Sequence, residues 1–494
     1  MSTPLIVAFV AVLLGSSAFA QAKKAGPDLD EAKKKLLMPD EGNVRAGANI
    51  CLEANNAESA ELLLKTLGAS QPHMRDIAFE FLEKFANPYA IAVIENACMV
   101  HKDENVRAWC ADLLGAYQGK ARLEPLFRAL QEPSAAIKAS AARALARLKA
   151  KEGVSRVASL KSHADPVVRA YANIAWAMGD IKNNAKAFAG IIDKDAGVRT
   201  ALLGALPDIA PDLVVEKSKA RIADADWRVR LQAVQNLQTI KTKDSVASLV
   251  LLVADGRRAI ANTAEAALIK LTGKKFHGDK AWKSWWEGEG EKFEFPADTA
   301  PAESPAATGE TGVFFGLPID SDHVAFLIDR GATMGNPAPS GKGTKMEEVL
   351  GELEQTLKSL PAGTKFNVLA YNNTTSAWNK KAQPLNEKTI KGGLDFLRSQ
   401  SLAGRKNIWS ALLAAIEDSD IDTIYLMSDG EPEDGVYVHY NRVVDHLKRL
   451  NILRKVVIHT VHVSDPAWSA ATAEWYRSQL REIAKGTGGK YVEK

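Results

Sequence analysis

Two aspartates stand at the ends of apolar stretches that are typical of buried strands. Asp329 ends the first stretch, and Asp429 follows the second 100 residues later. Gly331 and Thr333 occupy alternating positions after the first aspartate. Carboxylate and hydroxyl oxygens are the ligands that hard cations such as Mg²⁺ prefer. Side chains at the ends of parallel strands meet at one edge of a sheet, so we expect a binding site there.

These strands belong to an alternation of strands and helices that starts at Val313. The pattern predicts a mostly parallel, doubly wound sheet, because buried strands joined by helical crossovers pack in that way. The predicted strands are 323–329, 365–372, 423–428, 456–463 and a last one ending at 492, and the predicted helices are 344–359, 407–417, 440–450 and 471–485.

The region 313–494 resembles the von Willebrand factor type A (VWA) family. The loop after Asp329 stands where that family has its metal-binding Asp-x-Ser-x-Ser motif. Leu360–Tyr371 resembles the second strand of the family, Met427–Pro432 its third metal loop, and Glu482–Tyr491 its C-terminal signature. The resemblance implies a Rossmann-like α/β domain with its site at the strand ends.

The resemblance also implies a set of metal ligands, and this chain departs from it. Asp329, Thr333 and Asp429 match three family ligands, but Gly331 replaces the first serine and Lys406 falls on the position of the second-loop threonine. A lost hydroxyl can be replaced by water, whereas an ammonium group repels a divalent ion.

We therefore expect the ammonium of Lys406 to occupy the metal position and to pair with both aspartates. In the alternative, Lys406 extends into solvent, and Asp329, Thr333 and Asp429 hold a weakly bound Mg²⁺ or Mn²⁺. No other cofactor is expected, and the residues that would bind a partner are not identified.

The region 40–290 is predicted to be an all-α solenoid, because it repeats itself. A Val-Arg-like pair recurs at intervals of 30 to 32 residues, and each copy fits two short amphipathic helices. The array resembles HEAT repeats of an armadillo-like helical type, which implies a long concave surface for a protein partner. The second member of the pair stands at Arg45, Arg75, Arg107, Lys138, Arg169, Arg199, Arg230 and Ala261.

Two features of the array each allow a structural and a functional interpretation. The arginines could form an anion-binding ladder, but joints between neighbouring repeats are favoured, since every repeat needs the same joint. Trp282, Trp285 and Trp286 share a helix face and could stack on a ligand. Closure of the open end of the solenoid is favoured for them.

The remaining segments place the protein outside the cytoplasm. Leu5–Leu14 and Ala18-Phe19-Ala20 predict a signal peptide over residues 1–20, which suggests a periplasmic, extracellular or cell-envelope location. No later stretch reads as a transmembrane segment. Residues 296–312 form a Pro/Ala-rich linker between two modules expected to fold independently.

The composition and motifs favour a binding protein over an enzyme. A net charge of +3 offers no electrostatic footprint for nucleic acid. Gly331–Gly335 has the outline of a nucleophile elbow but carries threonine, and no catalytic residue is assigned. We expect an exported, non-enzymatic adhesion or scaffold protein that docks partners at the strand ends and on the concave solenoid face. The alternative is a structural envelope component with a vestigial VWA site.

Overall fold

The computed structural model describes residues 26–296, 312–430, 432–465 and 468–494. The signal peptide predicted for residues 1–20 and most of the predicted linker lie outside the described residues. The described part of the chain contains no helix that is both long and apolar enough to span a bilayer.

The N-terminal region is a stack of helix pairs, as the 31-residue period predicts. The recurring positions all fall in the second helix of a pair, so the even-numbered helices α2 to α16 form one row, here called the inner row. The helices are α1 (Leu29–Leu36), α2 (Glu41–Ala54), α3 (Ala57–Leu67), α4 (Pro72–Leu82), α5 (Pro88–Val100), α6 (Glu104–Leu114), α7 (Glu124–Ala129), α8 (Ala135–Leu148), α9 (Val154–Val157), α10 (Pro166–Gly179), α11 (Ile181–Phe188), α12 (Ala196–Ile209), α13 (Val214–Lys219), α14 (Trp227–Leu237), α15 (Lys243–Leu252), α16 (Arg258–Thr272) and α17 (Asp279–Glu289).

Five arginines of the column pair with a carboxylate of the next repeat, whereas Arg75 bonds the C-terminal domain; the five are Arg45, Arg107, Arg169, Arg199 and Arg230. Arg199 donates from Nε and Nη2 to the carboxylate of Asp224 at 3.0 and 2.7 Å, and from Nη1 to the carbonyl of Asp193 at 2.9 Å. Arg230 repeats this pattern with Asp255 one repeat later. Bidentate guanidinium–carboxylate pairs hold both partners at a fixed distance and orientation, so these arginines set the spacing between neighbouring repeats. The interpretation as joints is confirmed for these five arginines, and Arg75 departs from it.

The tryptophans close the far end of the array. Trp282 is fully buried and Trp285 is 7% exposed, and both rings pack against Phe276. Phe293 adds a further edge-to-face contact to Trp285. The last repeat would otherwise expose its apolar core to water, so the capping interpretation is confirmed.

The C-terminal region is a doubly wound α/β domain, which confirms the predicted fold class. Strands β3, β4, β7, β8 and β9 are parallel, the sheet order is β5-β4-β3-β7-β8-β9, and β6 also pairs with β4. The elements are β1 (Val313–Phe314), β2 (Leu317–Pro318), β3 (His323–Asp329), α18 (Lys345–Ser359), β4 (Lys365–Tyr371), β5 (Thr375–Ala377), β6 (Gln383–Pro384), α19 (Glu387–Ser399), α20 (Ile408–Glu417), β7 (Thr423–Ser428), α21 (Tyr440–Arg454), β8 (Val457–His462), α22 (Ala470–Thr487) and β9 (Tyr491–Glu493).

All eight inner helices contact the C-terminal domain. At one end Arg45 of α2 lies 3.3 Å from His439, and at the other end Arg257 beside α16 pairs with Asp420 at 2.6 Å. Between them Asp112 of α6 pairs with Arg449, a residue of α21. Further contacts come from α4, α8, α10, α12 and α14 through Asp76, Arg143, Tyr171, Gly197 and Trp227.

One expectation is corrected by these contacts. A row of eight helices that all touch one domain must curve around it, so the concave face is occupied by the chain itself and is no free docking surface. The two modules share ion pairs such as Arg143–Asp445 at 2.8 Å, so they are packed together in the folded protein. Their independent folding stays a prediction.

Candidate functional site at the strand ends

Asp329 ends the central strand β3 and is fully buried. The backbone N–H of Gly331 donates to its Oδ1 at 2.7 Å, and the hydroxyl of Ser428 donates to its Oδ2 at 2.7 Å. Ser428 reaches it because β7 runs parallel to β3 as its direct neighbour. Burial raises the pKa of Asp329 to about 6, although the positive charge of Lys406 opposes this rise. Both carboxylate oxygens therefore already have donors.

Asp429, directly after β7, is the centre of the site. Its Oδ1 accepts the hydroxyl of Thr333 at 3.0 Å and lies 3.3 Å from Nζ of Lys406. Its Oδ2 lies 2.8 Å from Nζ of Lys345. The carboxylate is fully buried between two ammonium groups.

Lys406 lies in the loop between α19 and α20 and is only 5% exposed, so it does not extend into solvent. Its ammonium pairs with Asp429 and, at 3.2 Å, with Glu433. Burial lowers the pKa of Lys406, but the charges of Asp329, Asp429 and Glu433 outweigh burial and hold this pKa above its usual value. Asp329 acts on Lys406 through its charge, and the direct ion pair predicted with both aspartates forms with Asp429 alone.

A second lysine was not predicted. Lys345 is the first residue of α18, is fully buried, and places Nζ 2.8 Å from both Asp429 and Asp465. The amide of Asn336 also donates to Asp465 at 2.9 Å, and Nζ of Lys345 lies 5.1 Å from the ring of Trp468. One feature of the sequence could have indicated that Lys345 has a buried partner. A lysine in the first turn of a helix opposes the helix dipole and needs a compensating partner.

Comparison with known proteins matches both halves of the chain. The family model described as HEAT repeats matches residues 91–178. Human von Willebrand factor A domain-containing protein 3A is 27% identical over 177 residues, which are 36% of this chain and 14% of that protein. Human inter-alpha-trypsin inhibitor heavy chain H6 is 30% identical over 138 residues, covering 24% of this chain and 10% of that protein. The structure of von Willebrand factor type A from Catenulispora acidiphila covers 35% of this chain and 38% of its own, with 14% identity and a TM-score of 0.27.

The chain combines HEAT repeats with a VWA domain. It spans 14% or less of the length of these two curated relatives. HEAT repeats and VWA domains are in general non-catalytic interaction domains, so the architecture is that of a protein-interaction protein.

The residues of the VWA site do not fit a divalent metal ion. Asp329 and Asp429 would have to supply carboxylate ligands, yet Lys345 and Lys406 already hold Asp429 from two sides. Two unit charges ~4 Å apart repel by roughly 4 kcal/mol at an effective dielectric near 20, and a divalent ion doubles this repulsion for each ammonium. The chemistry of the site is that of fixed ion pairs.

Another group of possible metal ligands, two aspartates and a histidine, lies at the opposite end of the VWA sheet. Asp322, His323 and Asp422 bring one ligand atom each within 4.8 Å of one another. Arg257 of the HEAT array lies 3.4 Å from Asp422, and the hydroxyl of Ser321 also donates to that carboxylate. A cation from the solenoid thus already pairs with one of the two carboxylates, Asp422, and this pair belongs to the contact between the domains.

Thr333 is not built as a nucleophile. Its hydroxyl donates to Asp429, a carboxylate that two lysines hold. A carboxylate that two ammonium groups stabilise is a weak base, so it does not activate this hydroxyl.

Proposed function

We propose that the protein is an exported, non-enzymatic interaction protein whose VWA domain docks a protein partner at its strand ends without a metal ion. The observation that supports this most strongly is the position of Lys406, whose ammonium lies 3.3 Å from Asp429. A buried ammonium supplies permanently the positive charge that a metal ion supplies elsewhere in the family.

The rim of the site offers the contact surface for such a partner. Ala332, Gly335 and Arg405 are exposed around the buried lysine, and Leu402 is 36% exposed. An apolar side chain beside a cationic one suits a partner that brings an acidic residue flanked by apolar ones.

In this proposal the HEAT solenoid is the scaffold of the VWA domain. Its inner row holds the domain through ion pairs such as Arg257–Asp420 at 2.6 Å and Arg143–Asp445 at 2.8 Å. The solenoid fixes the orientation of the strand ends, and any additional partner must bind outside the inner row.

Docking is tested by crosslinking and mass spectrometry of the native cell envelope. We expect the same crosslinked partner with and without EDTA, and its loss in a Leu402→Asp/Arg405→Glu variant. The matched control is Tyr89→Ala, because Tyr89 is 76% exposed on α5, outside the inner row. Partner loss with EDTA contradicts metal-free docking. Retention of every partner in the rim variant supports the second candidate, a structural envelope component with a vestigial VWA site, which the saturated ion pairs of Asp429 favour.

Export is tested separately by cell fractionation and by N-terminal sequencing of the purified protein. The proposal rests on the apolar Leu5–Leu14 core and the Ala18-Phe19-Ala20 site. A mature chain that starts at Gln21 supports export with cleavage, and a cytosolic chain that retains Met1 contradicts it.

A further inference from the structure

Glu433 covers the cation of the site. Its carboxylate lies 3.2 Å from Nζ of Lys406, and its side chain is 40% exposed, whereas Asp329 and Asp429 are fully buried. The backbone N–H groups of Glu433 and Asp434 donate to the carbonyl of Lys406 at 2.9 and 3.1 Å. The main chain and the side chain of Glu433 together hold its carboxylate against the ammonium of Lys406.

Glu433 belongs to a segment that runs from the site to the solenoid. Residues 432–439, here called the bridging segment, contain no helix or strand. Arg75 of α4 donates from Nη2 to the carbonyls of Gly435 and Val436, at 3.2 Å each. Asp76 accepts the backbone N–H groups of Val438 and His439 at 2.8 and 2.9 Å.

The bridging segment is also fixed in the middle. Gly435 has a φ of +105°, and a Cβ there would lie 2.3 Å from the side-chain oxygen of Asn407. Only glycine allows the chain to pass this close to Asn407, the residue after Lys406. The Tyr437 hydroxyl then accepts the indole N–H of Trp109 at 3.3 Å. The path from Lys406 to the inner row is thus a continuous series of contacts.

We propose that Glu433 is an internal ligand that holds Lys406 until an acidic side chain of a protein partner takes its place, and that the solenoid keeps Glu433 there through the bridging segment. This inference rests on the proposed docking function. The occupant is a carboxylate, because the site already accommodates one. Exchange is feasible, since an ion pair open to water on one side contributes little to stability.

The exposure of Lys406 tests this directly. The full-length protein is treated briefly with a limiting amount of an acetylating N-hydroxysuccinimide ester, and acetylation of each lysine is measured by peptide mass spectrometry. We expect Glu433→Ala to raise the rate at Lys406 by up to about five-fold, the upper end of what loss of one such ion pair allows. The matched control is Asp434→Ala, because Asp434 pairs with Asn373 and leaves Lys406 covered.

The role of the solenoid needs its own pair of variants. Arg75→Ala removes the contacts with the bridging segment, and we expect it to raise acetylation of Lys406. Arg107→Ala is the control, since Arg107 holds the equivalent position one repeat later but bonds the carbonyl of His101 and the carboxylate of Glu132 instead of the bridging segment. Lys345 is fully buried and should stay unmodified throughout, which shows that each variant is folded.

Two outcomes overturn the proposal. An unchanged rate in Glu433→Ala shows that Glu433 does not cover Lys406, and equal rates in Arg75→Ala and Arg107→Ala show that the solenoid does not hold it there. The partner chemistry is tested in Glu433→Ala with a glutamate hexapeptide, which should slow acetylation of Lys406 relative to a glutamine hexapeptide. Equal effects of the two peptides contradict a carboxylate ligand. The proposed docking function fails separately, through the crosslinking of the rim variant.

Discussion

At the strand ends, the buried carboxylates are neutralised by lysines of the same chain. Asp329, Asp429 and Asp465 bring three carboxylates together, and Lys345 and Lys406 bring two ammonium groups among them. Burying a charge without a partner is far more unfavourable than burying a pair. The lysines therefore hold the strand-end loops together through ion pairs.

Divalent metal ions should not bind the native site. In titration calorimetry with Mg²⁺ and with Mn²⁺ we expect no micromolar binding, because both ammonium groups repel the ion. EDTA should leave the melting temperature unchanged. Lys406→Thr should bind only weakly, since Lys345 still holds Oδ2 of Asp429 at 2.8 Å. Micromolar binding by the unmodified protein would falsify this prediction.

Lys345→Met should destabilise the protein strongly. The substitution leaves Asp429 and Asp465 buried without their ammonium partner, and breaking a buried pair in this way costs about 3–5 kcal/mol. Lys365→Met is the control, because that lysine is 41% exposed in its pair with Asp420 and should contribute about 1 kcal/mol or less. Urea unfolding of both variants measures the difference, and equal losses would contradict a structural role for Lys345.

At the scale of secondary structure, α21 shows how one helix joins the two domains. Val443 and Leu447 pack into the hydrophobic core on one side, while Asp445 and Arg449 pair with the inner row on the other. His446 stacks on Tyr437 with ring centroids 3.8 Å apart, in the same interface. The helix is therefore buried on its charged side as well as on its apolar side.

The stability of this interface should rise between pH 8 and pH 10.5. Lys455 follows α21 and donates to Gln235 of α14 at 3.0 Å, and burial lowers its pKa from 10.5 to about 8. The unfolded chain binds a proton in this window that the folded chain has lost, so the free energy of unfolding increases as the pH rises. Relative to Lys455→Met, the gain should be at most about 3 kcal/mol. Urea unfolding at several pH values measures it, and parallel profiles for the two proteins would count against the burial of the charge.

The periodic and buried parts of this fold were predictable, and the polar contacts were not. Strands such as Thr423–Ser428 are buried throughout and mostly apolar, and this strand was predicted at its observed position. The helix Glu387–Ser399 was missed although Ile390, Leu394 and Leu397 follow a helical spacing, and the strands β5 and β6 were missed because two or three residues are too few to show a period. At the site, Lys406 could be placed by its position in a family motif. Lys345 could not, because only the tertiary fold brings α18 to Asp429.

At the scale of the whole molecule, the array and the VWA domain are one body. The sequence predicted two modules, because the Pro/Ala-rich segment 296–312 separates the helical repeats from the alternation of strands and helices. Asp112 connects the two. Its side chain is 2% exposed and pairs with Arg143 of the array and with Arg449 of the VWA domain. Neither sequence alone marks these surfaces as an interface, because the charges pair only in the tertiary structure.

Asp112→Asn should weaken both domains together. It leaves two guanidinium groups with one carboxylate fewer, which we expect to lower the free energy of unfolding by about 3 kcal/mol. In calorimetry the native protein should unfold in one transition, and the variant at a lower temperature. Asp244→Asn is the control, because Asp244 is 63% exposed in its pair with Lys219 on the outer helices. Two separate transitions in the native protein would show that the domains unfold independently.

The row of contacts from Arg45 to Arg257 has a consequence for the length of the array. In an ordinary solenoid each repeat touches only its neighbours, so a repeat can be lost or gained with little penalty. Here the first inner helix must reach His439 while the last must reach Asp420. Deleting one repeat would shift every later contact by one step along the enclosed domain and set arginines against the wrong residues. The number of repeats is therefore fixed by the width of the domain that they surround.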